Sequence, residues 1–350
     1  MMEGQGRGRV SASPSNQGTN EVMYEPSRMK KSILFLTHHI EPSANPGGYR
    51  IGQYFPFLKE KGFEVIHLTS KTQPLTLVRV ARAVDVVYVQ RLLPGPVKRA
   101  IVRMFARRIV FDFDDAIMFG SEGENQVRRR RFERMVEMSS AVFCGNAFLK
   151  SEADRYRKES VFIVPTVVRT SDYPLKQPLA VSDPFVVGWM GSASTLKYFM
   201  DLSPLLASPP KGASFKVVAD RLPESTQPSV SFEKWSGERE KELLLTFDVG
   251  VMPVRNDLWS LGKCGLKLIQ YASSGLPSVS HPIGVSGEII EDGESGFLRR
   301  DLEGWREALE RLRVDPPLRK RMGKRARAIA EERYSLEVWG PRVADMVDGL

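Results

Sequence analysis

Lys263, Lys267 and Gln270 are polar points in an otherwise apolar stretch, Leu261 to Pro282. Lys267 and Gln270 are three apart, so on a helix they share a face. Leu266, Ile269, Ala272 and Ser273 recur at helical spacing and are assigned to a core-facing stripe. A helix start offers free N–H groups and the positive end of a dipole, which suit a phosphate. Two lysines at such a start point to an anionic ligand. A second group is acidic: Asp112, Asp114 and Asp115 fall together where a strand pattern ends. Carboxylates there can act as general bases or hydroxyl contacts. Asp is also a common helix N-cap, and that reading stays open beside the chemical one.

The elements that must carry these residues alternate between strand and helix. Gly275 should close the lysine helix, because glycine tolerates the left-handed conformation many helix ends require. Leu276 to Ser280 then reads as a buried strand and Phe247 to Pro253 as the strand before the helix. The unit is strand, loop, helix, strand, with the loop at the carboxyl end of its first strand. Open parallel sheets bind ligands at that end.

The same alternation starts near residue 32. Ser32–Thr37, Phe63–Leu68, Asp85–Gln90, Arg108–Phe113, Ala141–Cys144 and Val161–Pro165 read as six strands. Helices are expected over Ile51–Lys61 and Val97–Phe105. Gly47 and Gly48 lie in the first strand-to-helix turn, where glycine lets backbone approach a ligand. Residues 1–31 have no periodicity and are expected to be a disordered tail. Residues 166–184 carry prolines without a period and read as a linker, 171–184 at its narrowest. A second series begins at Phe185–Met190 and runs through Phe215–Ala219 and a helix near Glu238–Leu245. It ends in helices over Leu302–Leu312, Leu318–Glu332 and Leu336–Met346. The expected fold is α/β with two Rossmann-like parallel sheets. The domains would be 32–170 together with 334–350, and 185–333.

A chain of 350 residues suits two domains. No apolar run approaches the roughly 20 residues that span a bilayer. No secretory h-region is visible, so a cytoplasmic location is expected. Cys144 and Cys264, the only cysteines, sit in apolar patterns and should be buried free thiols. Two cysteines and four scattered histidines do not build a zinc site, and no metal is expected. The net charge is +9, concentrated at Lys98, Arg99, Arg103, Arg107, Arg108 and at Arg128 to Arg131. An anionic membrane met peripherally at its inner face, a phosphorylated substrate, or a merely solvated helix face would each account for this. No nucleic-acid-binding motif appears.

The pattern K-x-x-Q-Y-x-x-x-G-x-P from Lys267 resembles the donor-sugar segment of GT-B glycosyltransferases of the family-4 (group 1) type. Gly188-Trp189-Met190-Gly191-Ser192 resembles that family's first loop in the second domain. Phe247 to Pro253 resembles its "aDvgimP" strand, and Gly287 to Phe297 its "EII.DG..G.L" segment. Tyr334-Ser335 resembles its ending, after which a last helix crosses back to the first domain. The resemblance runs from about Ile33 to the C-terminus and is most specific in the second half.

The resemblance implies a glycosyltransferase that uses a nucleotide-diphosphate sugar as co-substrate and needs no further cofactor. Positive charge must then meet the diphosphate as the glycosyl bond breaks. Lys263 and Lys267 are the candidates, with backbone N–H groups of Gly191 and Ser192. Gly47 and Gly48 would approach the donor from the opposite domain, and His281 would contact the sugar. Gln270 stands where the family usually has a carboxylate for sugar or ribose hydroxyls, and an amide keeps hydrogen bonding without the charge. Asp114 and Asp115 become the candidate catalytic pair. Asp112-x-Asp114 also evokes the metal motif of GT-A enzymes, which a two-Rossmann chain argues against. His38 and His39 could line the acceptor side. The acceptor implied is a glycan or lipid-linked intermediate of polysaccharide or cell-envelope biosynthesis. A nucleotide-sugar epimerase of the same fold, and a non-catalytic GT-B-like binding protein, remain as alternatives.

Overall fold

Ile33 to Leu36 is an unbroken apolar run, and it is almost wholly buried. A strand buried on both faces must have layers on both sides, which parallel sheets obtain from crossover helices. The computed structural model describes residues 31–38, 49–120, 123–177, 184–221 and 227–350. The expected tail, up to residue 30, lies outside them, as do His39, Gly47 and Gly48.

The first series contains β1 (Lys31–Thr37), α1 (Phe55–Glu60), β2 (Phe63–Thr69), α2 (Pro74–Ala83) and β3 (Val86–Gln90). It continues with α3 (Pro96–Phe105), β4 (Arg108–Phe113), a small hairpin of β5 (Phe119–Gly120) and β6 (Gly123–Glu124), and α4 (Gln126–Met138). It ends with β7 (Ala141–Cys144), α5 (Ala147–Ala153) and β8 (Val161–Ile163). The six long strands form one parallel sheet in the order β2-β1-β3-β4-β7-β8. Leu77 and Ala81 of α2, Val102 of α3 and Phe132 of α4 share one core against it. Leu58 of α1 belongs to the core on the opposite face.

The second series contains β9 (Phe185–Met190), α6 (Leu196–Phe199), α7 (Ser203–Ala207), β10 (Ala213–Ala219), β11 (Val230–Lys234) and α8 (Glu240–Leu244). Then come β12 (Val249–Met252), α9 (Leu258–Leu261), α10 (Leu266–Ser273), β13 (Ser278–Ser280), α11 (Ser286–Ile289) and β14 (Gly296–Leu298). These six strands make a second parallel sheet, β11-β10-β9-β12-β13-β14. The chain closes with α12 (Leu302–Val314), α13 (Pro316–Arg333) and α14 (Leu336–Asp348). Val168 and Ser335 pair where α13 gives way to α14. Val343 and Val347 of α14 then join Ile33 and Phe35 in the core of the first sheet.

Gly275, after α10, takes φ +70°, the left-handed turn expected of it. Cys144 and Cys264 are buried free thiols. Apart from the small β5–β6 hairpin and the short helices α6, α7, α9 and α11, three elements were not foreseen. α2 begins at Pro74, and proline is well placed in a helix's first turn. The α4 segment reads as a charge run, because four consecutive arginines mask its buried Phe132, Met135 and Val136. β11 is an edge strand and half exposed, so it lacks an apolar signature. Among the described residues no helix is long and apolar enough to cross a membrane.

Candidate active site

Both sheets reverse their strand order next to their first strands, at β1/β3 and at β9/β12. Such switch points open a crevice at the carboxyl ends of strands. Here the carboxyl edges line one cleft of about 650 Å³. The first sheet contributes Thr37 and His38, Gln90 and Arg91, and Asp114 and Asp115. The second contributes Met190, Gly191 and Ser192, Met252, residues 263–267 and Gln270.

The lysine wall is held from both sides. Asn146, whose Oδ1 caps α5 on the Leu149 amide, donates through Nδ2 to the carbonyls of Leu261 (3.1 Å) and Lys263 (3.0 Å). The Cys264 thiol donates to the Asp114 carbonyl at 3.2 Å. Residues 261–264 are thus tied to the first half, and the first turn of α10 opens on the cleft. N–H groups of a first helical turn have no intrahelical acceptor. Lys267 Nζ lies over the Trp189 ring, 5.5 Å from its centroid, and Lys263 Nζ over Tyr198 at 5.4 Å. Burial lowers the Lys267 pKa to about 8; the neighbouring Lys263 adds to that and Asp115 opposes it. Lys263 is lowered too, chiefly by burial. Two closely placed ammonium groups that have shed part of their hydration are primed for a polyanion, which would relieve both the desolvation and the mutual repulsion.

Gly191 plays a different part from the one its position suggests. Its N–H already donates to the Val218 carbonyl at 3.0 Å, so it is not an open phosphate donor. A Cβ at Gly191 would fall 2.5 Å from Lys267 Cε and 2.8 Å from the Trp189 ring. The glycine therefore makes room for the lysine stem. The Ala193 amide is likewise occupied, by Asp220 at 2.6 Å. Ser192 lines the cleft, with its hydroxyl 2.8 Å from that of Ser194.

Gln270 is almost buried and points at a carboxylate from another element. Its Nε2 donates to Glu240 Oε1 at 2.8 Å. Trp235 Nε1 donates to Glu240 Oε2 at 2.9 Å, and the Tyr49 hydroxyl, from the first half, also donates to Glu240. Tyr173 completes the cluster, 3.2 Å from the Tyr49 oxygen. Glu240, at the first position of α8, lines the cleft beside Gln270.

On the acidic wall the three aspartates have three environments. Asp112 is fully buried and accepts from Arg50 through both oxygens, each 3.0 Å from Nε. It points away from the cleft chemistry and is unavailable as half of a D-x-D metal site. Asp114 is engaged by Arg91 at both oxygens, with Nη2 donating to Oδ2 at 2.7 Å. Burial pushes its pKa up, and the Arg91 and Arg50 charges outweigh that, holding it below the usual carboxylate range. Among the described residues Asp115 has a single ion pair, to Arg91 Nη2 at 2.9 Å. Burial raises its pKa and Asp114 adds to the rise, against Arg91 and the two lysines. Of the pair, Asp115 is thus the group free to exchange a proton or contact a hydroxyl, while Asp114 anchors Arg91. Among the described residues no group of three or more His, Cys, Asp or Glu could hold a metal ion.

Lys263, Lys267, Gln270, Gly191, Ser192, Asp114 and Asp115 therefore meet at one cleft. His281 does not line it. Its Nδ1 accepts from the Val254 amide at 3.1 Å and its ring packs on Trp305 at 5.1 Å, so it is a packing residue behind β12 and β13. Leu266 also departs from expectation and lines the cleft. Gly47 and Gly48 lie outside the described residues. Arg91 and Glu240 are the residues that reading the sequence missed. Arg91 directly follows β3 at φ +52°, a rare conformation for a side chain. A cation ending an apolar strand was its only signal. Glu240 sits in a charged run, Glu238 to Glu242, in which no single carboxylate stands out.

Residues 184–315 match the family model described as Glycosyl transferases group 1. No curated protein sequence matches the chain. Among solved structures, Anabaena Alr3699/HepE in complex with UDP and glucose superposes with a TM-score of 0.71 at 17% identity, covering 91% of this chain and 100% of that one. Sucrose-phosphate synthase from Thermosynechococcus elongatus superposes with a TM-score of 0.72 at 13% identity, over 91% and 99% of the two chains. The lipopolysaccharide outer core galactosyltransferase WaaB, in its apo form, does so with a TM-score of 0.66 at 10% identity, over 91% and 99%. This chain accordingly has the GT-B fold, and its second half carries the group 1 glycosyl transferase signature at residues 184–315.

Proposed function

We propose that this protein is a glycosyltransferase that moves a hexosyl group from a nucleotide-diphosphate sugar to a glycan or lipid-linked acceptor. The observation that carries this reading is the pair of part-desolvated lysines on α10 and its approach, facing Asp115 across a cleft built at two switch points. Lys263 and Lys267 would take the diphosphate and stabilise it as the sugar departs. Because they supply that charge, we propose that no metal is required. Glu240 and Gln270 together would read hydroxyls of the ribose or sugar, the carboxylate coming from α8 rather than from α10. Asp115 is the candidate to contact or deprotonate the acceptor hydroxyl, with Arg91 and Asp114 setting its position. That one solved neighbour of this fold, HepE, is seen with UDP, with UDP and glucose, and with UDP-glucose supports the donor class. A role in polysaccharide or cell-envelope biosynthesis is in keeping with the galactosyltransferase among them.

The test is calorimetry with nucleosides, nucleoside diphosphates and nucleotide sugars, followed by release of free nucleotide with glycan or lipid-linked acceptors. A charge-assisted hydrogen bond contributes about 1.5–3 kcal/mol, so Lys267→Ala should weaken diphosphate binding about ten- to a hundredfold. Nucleoside binding should scarcely change, and a chelator should leave both intact. If no nucleotide binds, or Lys267→Ala weakens nucleoside and diphosphate alike, the reading is wrong.

A further inference from the structure

α2 and α3 lie side by side on the outside of the first sheet and carry five basic residues, Arg79, Arg82, Lys98, Arg99 and Arg103, with no acidic residue on either helix. On α3, Arg99 and Arg103 are four apart and form one row. Beside it Val97, Ala100 and Met104 form a second row, at i, i+3 and i+7. Val97 is 62% and Met104 72% exposed, where a water-facing helix would carry polar groups. On α2, Leu75 is 83% exposed and precedes Arg79 by one turn. The two helices are in register. Lys98 at the start of α3 donates to the Ser70 carbonyl just before α2, and Arg82 at the end of α2 lies over Phe105 at the end of α3. Their exposed apolar and basic side chains therefore form one face.

Of the four consecutive α4 arginines, the more conspicuous run in sequence, two are used inside the protein. Arg128 donates to the Ile117 carbonyl, and Arg129 pairs with Glu152 and Glu124 while stacking on Phe119. Glu133 and Glu137 further dilute that helix. On α2 and α3, Lys98 and Arg99 donate to the Ser70 and Pro94 carbonyls, while no ion pair engages the exposed Arg79, Arg82 or Arg103 among the described residues.

We infer that the α2–α3 face docks on an anionic membrane surface, the cations meeting headgroups while Leu75, Val97 and Met104 enter the interface. Cations alone would suit any polyanion. The interleaved exposed apolar side chains favour a surface that is charged outside and apolar beneath. α2 and α3 begin at the carboxyl ends of β2 and β3, the edge from which Gln90 and Arg91 enter the cleft. On the functional reading above, docking would bring the mouth of the cleft to the lipid surface, where a lipid-linked acceptor resides. The docking itself needs no nucleotide.

The experiment is sedimentation of the full chain with vesicles of phosphatidylcholine alone and of equal parts phosphatidylcholine and phosphatidylglycerol, at low and physiological salt. Binding should require the anionic lipid and weaken with salt, since exposed charges are screened beyond about 8 Å at physiological ionic strength. Each interfacial cation is worth about fivefold in affinity, so Arg79→Gln with Arg103→Gln should weaken binding about thirtyfold. Leu75→Ser with Met104→Ser should weaken it at least about tenfold. Arg130→Gln with Arg131→Gln on α4 should leave it unchanged. All three are surface changes, and unaltered thermal unfolding would confirm that the variants fold. Equal binding to neutral and anionic vesicles, or loss only in the α4 variant, would overturn the inference. So would a silent Leu75/Met104 variant together with equally tight binding of a polyglutamate chain, which would mean plain polyanion affinity. Nucleotide calorimetry on the same variants should be unchanged, so a failed donor reading and a failed docking face are separately visible.

Discussion

Gln270 Nε2 lies 2.8 Å from Glu240 Oε1, an amide of α10 set against a carboxylate of α8. The side chain that resembles the donor motif is neutral, and the charge at its tip is provided from elsewhere in the fold. Glu240→Gln should therefore weaken nucleotide-sugar binding by about 1.5–3 kcal/mol if the carboxylate accepts from ligand hydroxyls. The new amide keeps one acceptor oxygen, where Trp235 and Tyr49 now donate to different oxygens of the carboxylate, so one of the two loses its acceptor and part of the loss reflects the cluster itself. The exchange Glu240→Gln with Gln270→Glu should recover much of the loss. Calorimetry with a 2′,3′-dideoxynucleotide identifies the hydroxyls concerned. Equal losses for that analogue and the natural nucleotide would remove the ribose from the account.

Lys267 should make both binding and stability depend on pH. Its folded pKa, about 8, lies below that of an exposed lysine, about 10.4. Between these values the unfolded chain holds a proton that the folded chain has lost, so stability rises with pH through that window. Below about pH 8 the folded protein carries a poorly hydrated ammonium. Lys267→Met should then stabilise the free protein near neutrality by up to about 3 kcal/mol, and flatten its stability between pH 8 and 10. Diphosphate affinity of the wild type should fall as pH rises past the lysine pKa. Thermal unfolding and calorimetry across pH 7 to 10 check both signs.

Arg50→Met should destabilise strongly. Arg50 and Asp112 are both essentially buried, and Arg50 Nη1 also donates to the Val164 carbonyl at 2.6 Å. Removing one partner leaves a buried charge uncompensated, at a cost of about 3–5 kcal/mol. Arg50→Met with Asp112→Asn should unfold at a higher temperature than Arg50→Met alone. If the single variant is as stable as wild type, the pair does not hold the β4 end in place.

Gly191→Ala is a small change with a directed effect. The added carbon would meet Lys267 Cε and the Trp189 ring. The flexible lysine stem is the neighbour that moves more easily. Diphosphate affinity should fall several-fold, and because the buried Trp189 ring must give way as well, stability should fall by the cost of overpacking, about 1–3 kcal/mol. Unchanged affinity would show that the lysine adopts another rotamer when ligand binds.

Much of this architecture was readable because apolar runs such as Ile33–Leu36 and Val249–Met252 have the length and flanking turns of buried strands. Lys267 and Gln270 were readable as partners because both belong to one short helix, where spacing alone dictates a shared face. Glu240 was not, because its meaning lies in a contact between elements 30 residues apart. Arg91 likewise takes its role from Asp114 and Asp115, which a different strand delivers. Periodicity reports which way a residue faces, but not what stands opposite. His281 shows the converse: a polar residue ending a strand near the site, whose ring is consumed by packing and by one backbone amide.

The return of α14 to the first sheet makes that half of the protein discontinuous along the chain. Val343 and Val347 complete a core that begins at Ile33, and Gly340 lies against the Phe57 ring so closely that a Cβ there would sit 2.4 Å from it. During synthesis the first sheet emerges early, yet one of its two faces, with only α1 and its approach on it, stays partly uncovered until α14 follows. The second half has no such debt and can complete its own core beforehand. The nascent first half is therefore the part that must be shielded from aggregation, and a stop codon shortly before Leu336 would expose it permanently.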